Sequence, residues 1–142
     1  MTEAKIALVT GVSSGIGQAT ATLLASRGFR VFGTMRKPAE PNESLHNVEA
    51  VQLDVRDEES VRSGVRTVLD RAGRIDALVN NAGCALIGSS EETSIEEARD
   101  LLETNVFGVL RTSRAVLPIM RGQGYGRIAN VGSVVVFVPA PF

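Results

Sequence analysis

The sequence predicts an α/β fold, a doubly wound parallel sheet in strand order 3-2-1-4-5. Short apolar, β-prone runs alternate with longer stretches of helical periodicity, the pattern of successive βαβ units. The first apolar run ends in a turn rich in glycine that opens directly into a helical pattern. A length of 142 residues suits one domain of this kind.

Taken in order, the first strand is predicted at about Lys5 to Thr10, and a helix from about Gly15 to Arg27 follows. Ile16, Ala19, Leu23 and Leu24 form its apolar stripe, and Gly28 is placed to stop it. The second strand runs from Arg30 to Met35 into a loop marked by Pro38 and Pro41. The third is Val48 to Leu53. Its helix opens at Asp57-Glu58-Glu59, acids that suit the positive end of a helix, and Val61, Val65, Val68, Leu69 and Ala72 give the buried stripe before Gly73. Ala77 to Asn80 is the fourth strand. The run Ser94-Ile95-Glu96-Glu97 reads as a capping box, starting a helix expected to bury Ile95, Ala98, Leu101 and Leu102. Helical pattern resumes at Val106 and continues to about Arg121, with Pro118 expected to kink or shorten it. Gly122, Gly124 and Gly126 precede a fifth strand, Arg127 to Val131.

Composition removes several classes of function. Net charge is −1 with both signs interspersed, so the basic footprint of a nucleic-acid binder is missing. One His (His46) and one Cys (Cys84) do not make a zinc site or an internal disulfide, and no metal is expected. No apolar run is long enough for a signal peptide or a membrane span, which points to a cytoplasmic protein without membrane contact. His46 reads as a surface residue and Cys84 as a packing residue. The acids Glu91, Glu92, Glu96 and Glu97 read as a capped, solvated helix start.

The turn Thr10-Gly11-Val12-Ser13-Ser14-Gly15-Ile16-Gly17 carries the first chemical signal. A glycine after the strand permits a sharp turn, and the later ones let backbone N–H groups approach a pyrophosphate. The helix N-terminus adds unpaired donors and a favourable dipole, and the hydroxyls of Ser13 and Ser14 can add hydrogen bonds. At the first βα turn of a parallel sheet, this is the place where a Rossmann-type domain holds a dinucleotide.

Four further features follow in chain order: Asp54-Val55 after strand three, Asn80-Asn81-Ala82-Gly83 after strand four, Asn105 in Thr104-Asn105-Val106 where helical pattern resumes, and Ser133 in Asn130-Val131-Gly132-Ser133 after strand five. Together with the glycine turn they resemble the short-chain dehydrogenase/reductase family over essentially the whole chain. The resemblance implies an oxidoreductase moving a hydride between a nicotinamide cofactor and a secondary alcohol or carbonyl. It makes Thr10, Gly11, Ser13, Ser14, Gly15, Ile16 and Gly17 the phosphate-binding turn. Asp54 and Val55 become the adenine contact, and Asn81, Ala82 and Gly83 the floor beneath the cofactor. Asn105 becomes the residue that kinks the long helix and organises a relay water, and Ser133 the hydrogen-bond donor to the substrate oxygen.

Cofactor preference is read from the end of strand two. An acid there would accept the ribose 2′-OH of NAD(H), but Met35 is followed by Arg36 and Lys37. A guanidinium suits a 2′-phosphate, so NADP(H) is favoured over NAD(H). Ser14 stands where some NADP-preferring members carry a further basic residue.

The family's proton donor is a Tyr assisted by a Lys four residues later, about a dozen residues after the serine. The only tyrosine, Tyr125, precedes Ser133 and has Ala129 four residues on. The Tyr and Lys are therefore expected beyond Phe142, and residues 1–142 are expected to be one dinucleotide-binding domain, truncated at its C-terminus and inactive alone. On that reading Val134–Val138 is an aggregation-prone window beside an uncovered sheet edge. A small alcohol or ketone is the expected substrate, and the apolar run after Ser133 points towards a hydrophobic one. By analogy the complete protein would be a homodimer or homotetramer paired through the long helix after Asn105. Two rivals stand beside this reading: a nucleotide-binding or interaction module that never turns over, and a non-redox Rossmann protein such as a methyltransferase.

Overall fold

The computed structural model describes residues 4–37, 45–134 and 137. Of the apolar window after Ser133, Val135, Val136 and Val138 lie outside the described residues. Pro38 and Pro41 do too.

Five strands, β1 (Ile6–Thr10), β2 (Arg30–Met35), β3 (Val48–Gln52), β4 (Ala77–Asn80) and β5 (Arg127–Asn130), form one parallel sheet in the order β3-β2-β1-β4-β5. This is the predicted Rossmann-like order. β1 lies at the centre and is buried along its whole length. Its alternate residues face opposite layers, as the pleat requires. Ile6 and Leu8 join Phe32, Val61, Val65, Val68, Leu78, Val116 and Met120 on one side. Ala7 and Val9 join Val12, Ala21, Val31 and Leu45 on the other.

Helix α1 (Gly15–Ser26) covers the second side, but of the expected stripe Leu24 alone packs there, while Ile16, Ala19 and Leu23 face outward. Its buried residues are Gly17 and Ala21, with Leu24 and Ala25 partly buried against them, whereas Ile16 and Leu23 are 66% and 55% exposed. The reason is steric. An ideal Cβ on Gly17 would stand 2.1 Å from the Gly11 carbonyl oxygen, so the helix lies too close to the β1 turn for any but its smallest residues to face inward.

Helix α2 (Glu58–Ala72) follows expectation throughout. Asp57 caps it by accepting from the Ser60 N–H, Val61, Val65 and Val68 are buried, and Gly73 ends it in the left-handed region. On the same side of the sheet, α3 (Ile95–Leu102), a π-helical turn (Glu103–Phe107) and α4 (Gly108–Gln123) follow without interruption. Pro118 sits inside α4 without ending it, and the helix runs on to the left-handed Gly124. The missing N–H removes one backbone bond from the helix but does not outweigh the burial of Val116 and Met120 on either side.

The expected burial of α3 is not found. None of its residues is buried, and Ile95 and Leu102 are 64% and 48% exposed. The capping box is present, with Ser94 Oγ accepting from the Glu97 N–H and Glu97 accepting in return from the Ser94 N–H. The Ser94 N–H and hydroxyl, both donating to Glu97 Oε2, hold its carboxyl below its usual range. Among the described residues, no helix is long and apolar enough to cross a membrane.

Candidate active site

The carboxyl ends of β1 to β4 open onto a cleft of about 1380 Å³. In an open α/β sheet this is where a ligand is expected. Gly11, Ser13, Ser14, Gly15 and Ile16 line it from the β1–α1 turn, Arg36 and Lys37 from the end of β2, and Asp54 and Val55 from the end of β3. Asn81, Ala82 and Gly83 line it from the end of β4. Residues from four separate segments, singled out on sequence, thus share one cavity.

The turn after β1 is held from two directions. Gly11 and Val12 donate to the Thr34 carbonyl at 3.0 Å each, which docks the turn on β2. On the other flank the Asn81 amide donates to the carbonyls of Thr10 (3.0 Å) and Gly11 (2.9 Å). Thr10 returns the contact, its hydroxyl accepting the N–H groups of Asn81 and Ala82 at 3.0 Å each. Gly11 has φ +70°, and a Cβ there would lie 2.8 Å from Ala82 Cα, so glycine is required for this close approach.

Two expected cofactor contacts are therefore not in the cleft. Thr10 is 1% exposed and its hydroxyl is committed to the β4 loop; Gly17 is buried beneath the turn. Both shape the turn from behind. The N-terminus of α1, by contrast, faces the cleft without a side-chain cap and with no acid in its first turn. α2 and α3 both carry acids there. The donors of α1 are open to an anion arriving from outside the chain.

Beyond Gly83 the cleft wall continues through Cys84, Ala85 and Leu86. Asn105, in the π-helical turn, holds this segment with both ends of its amide: it accepts from the Cys84 N–H at 2.9 Å and donates to the Cys84 carbonyl at 2.8 Å. The side chain itself does not line the cleft. Asn80, the last residue of β4, ties the sheet to α4. Its amide donates to Asn130 (2.9 Å) and Ser113 (3.2 Å), and its oxygen lies 2.6 Å from the Thr112 hydroxyl. Ser133 is exposed in the segment after β5, outside the cleft lining.

The far wall was not anticipated from sequence. Glu97, Asp100, Leu101 and Thr104, at i, i+3, i+4 and i+7, present one helical face to the cleft, and Arg56 joins them from the β3–α2 loop. A face of mixed polarity carries no hydrophobic periodicity, but the i, i+3, i+4, i+7 spacing was there to be read.

Tyr125 lies at the opposite, amino end of the sheet. Its phenol is 3.5 Å from Lys5 Nζ, which also sits 5.2 Å from the ring centroid. Hydrogen bonds from Lys5 and Arg127 lower its pKa. Tyr125 is not among the residues lining the cleft.

The family model described as short chain dehydrogenase matches residues 5–142. The chain belongs to the short-chain dehydrogenase/reductase family. A 3-ketodihydrosphingosine reductase of Bacteroides thetaiotaomicron is 41% identical over 130 residues, covering 92% of this chain and 47% of that protein. The 3-oxoacyl-acyl-carrier-protein reductase FabG of Vibrio cholerae is 41% identical over 137 residues, covering 94% of this chain and 56% of the relative. Among solved structures, an actinorhodin polyketide ketoreductase with NADPH superposes with a TM-score of 0.85 at 34% identity, covering 96% of this chain and 56% of that one. The chain thus spans about half the length of the relatives it matches. Membership of the short-chain dehydrogenase/reductase family sets aside the methyltransferase alternative.

Proposed function

We propose that the chain is the dinucleotide-binding part of an NADP(H)-dependent oxidoreductase that interconverts a secondary alcohol and a carbonyl. The observation that carries this is the single cleft joining the uncapped N-terminus of α1, the basic pair Arg36-Lys37, Asp54-Val55 and the Asn81-Ala82-Gly83 floor. The donor set fits a dinucleotide. Open backbone N–H groups with Ser13 and Ser14 suit a pyrophosphate, two cations suit a 2′-phosphate, and the Asp54 carboxylate suits an adenine amino group. When bound, the nicotinamide supplies hydride chemistry.

The chain's own residues bind and orient. Ser133 is assigned the hydrogen bond to the substrate oxygen. Asn105, its amide occupied by Cys84, holds the cleft wall in place, and any relay water organised in this turn is a further part of the proposal. Leu86 and Ile87, 39% and 85% exposed just past the floor, favour an apolar substrate. The protein named as a 3-ketodihydrosphingosine reductase and the polyketide ketoreductase accord with that choice.

The second reading, dinucleotide binding without turnover by these residues alone, is favoured by one observation: Tyr125 is placed with Lys5 at the far end of the sheet. A pairing surface is also proposed. Ile95, Leu102, Val106, Leu110 and Leu117 are exposed along one continuous helical run, an apolar stripe that suits a second copy of the chain.

The cofactor assignment is tested by titrating NADPH and NADH against the wild type and the variant carrying Arg36→Ala and Lys37→Ala. The variant should bind NADPH roughly tenfold to a hundredfold more weakly, the worth of about 1.5–3 kcal/mol of charge-assisted hydrogen bonding. Its NADH affinity should stay within about twofold, since NADH carries no 2′-phosphate for these cations. Equal losses for both dinucleotides would refute the 2′-phosphate role. Occupancy can be followed independently, because Cys84 is the sole cysteine, is exposed and lines the cleft. Saturating NADPH should slow its alkylation by iodoacetamide several-fold, and an unchanged rate would place the dinucleotide elsewhere.

A further inference from the structure

Arg56 and Asp100 close the far side of the cleft, and both line it. Arg56 Nη2 donates to Asp100 Oδ1 at 2.6 Å, joining the β3–α2 loop to α3 across 44 residues of sequence. The backbone N–H of Arg56 also donates to Asp54 Oδ1 at 2.9 Å, and the Asp54 N–H donates to Ser60 Oγ at 2.9 Å. One residue therefore grips Asp54 with its backbone and α3 with its side chain. The Val55 carbonyl between them accepts from Arg111 on α4 at 3.4 Å, and Val55 itself packs against Gly108. The loop carrying Asp54 is thus pinned to the helix from two points. The outer of the two, Arg56–Asp100, is the exposed one, with the side chains 40% and 69% accessible.

The geometry points to Arg56 and Asp100 as positioning residues for the adenosine half of the dinucleotide, a latch that sets the width of the cleft between Asp54 and α3. This rests on the dinucleotide reading above. On that reading the pyrophosphate lies against the β1–α1 turn, which this pair does not touch. The latch therefore acts on one half of the ligand only. An exposed ion pair contributes modestly, which sets the size of the effect.

The test uses the intact protein with three probes: NADPH, 2′,5′-ADP for the adenosine half, and reduced nicotinamide mononucleotide for the other half. Arg56→Gln and Asp100→Asn should each weaken NADPH and 2′,5′-ADP by roughly threefold to fivefold. The double variant should be no worse than either single one, because each change breaks the same contact. The mononucleotide affinity should not change. The reversed pair, Arg56→Asp with Asp100→Arg, should recover most of the loss. An Arg56→Gln loss with no Asp100→Asn loss would mean that Arg56 touches the ligand directly, and would overturn the latch. Equal weakening of the mononucleotide would overturn it too, as a general loss of structure. Failure of the wild type to bind NADPH at all would instead sink the dinucleotide reading, and the latch with it.

Discussion

Gly17→Ala is expected to destabilise the fold by about 2–4 kcal/mol and to abolish tight dinucleotide binding. The added Cβ would stand 2.1 Å from the Gly11 carbonyl oxygen and 2.3 Å from Asn81 Nδ2, where ordinary contact is 3.4–4 Å. Neither neighbour can yield cheaply. The Gly11 carbonyl is itself the acceptor for that Asn81 amide, so relief must come from moving α1 off the turn or breaking the bridge between the β1 and β4 loops. Both movements displace the donors that face the cleft. Gly28→Ala is the control: it lies at φ +86° with nothing within 4 Å, so backbone strain of about 1–2 kcal/mol should be its whole cost, with binding intact. Denaturant midpoints and NADPH titrations of the two variants decide the matter. A Gly17→Ala protein as stable as Gly28→Ala and still binding would show that the turn is softer than its contacts imply.

Asp76→Asn should cost about 2–4 kcal/mol at neutral pH, and the cost should shrink in acid. Asp76 is 1% exposed, accepts the first N–H of β1 from Ile6 at 2.8 Å, and is paired with Arg74 at 2.6 Å. Burial by itself pushes its carboxyl up, but the Arg74 hydrogen bonds, the Ile6 N–H and the charges of Arg74 and Lys5 outweigh that and hold it below the ordinary value of 3.8. A carboxyl lowered in the folded state favours folding in its ionised form. Its contribution is complete above about pH 5 and is lost as pH falls through the lowered folded value. The wild type should therefore lose stability faster than Asp76→Asn between about pH 5 and pH 2. Urea midpoints at several pH values read this directly, and a gap that stays constant into acid would mean the charge contributes nothing.

The strands and α2 were legible because their signals are local. A β-run bounded by glycine, or an Asp57 cap ahead of a valine stripe, needs no knowledge of the rest of the chain. Sequence pattern and structure part where a distant contact decides. Ile16 and Leu23 made the better apolar stripe on paper, yet the closeness of Gly17 to Gly11 turned α1 so that Ala21 faced the core. Thr10 sat in the phosphate-binding turn by position, but its hydroxyl went to the Asn81 and Ala82 N–H groups some seventy residues away. Ile95 and Leu102 carried a core-like pattern that no described element covers. Apolarity reports what a residue would gain by burial and not whether a partner arrives. The site was legible in its motifs and illegible in its far wall, since Asp100 and Thr104 look like any solvated helix residues until Arg56 is seen opposite.

Asn105 shows what a helix can offer an irregular segment of backbone. Its carboxamide meets the N–H and the C=O of Cys84 together, as the backbone of a neighbouring chain would. The side chain is in effect a borrowed peptide group, pairing with the Cys84 backbone four residues beyond the end of β4, where no described strand runs alongside. Such a rung demands a donor and an acceptor on one planar group. A carboxylate of the same shape would set a second oxygen against the Cys84 carbonyl, and an alkyl group would leave both polar atoms unanswered. At this position, shape, polarity and orientation are specified together, so the chemistry of the amide and not merely its size is written into the wall of the cleft.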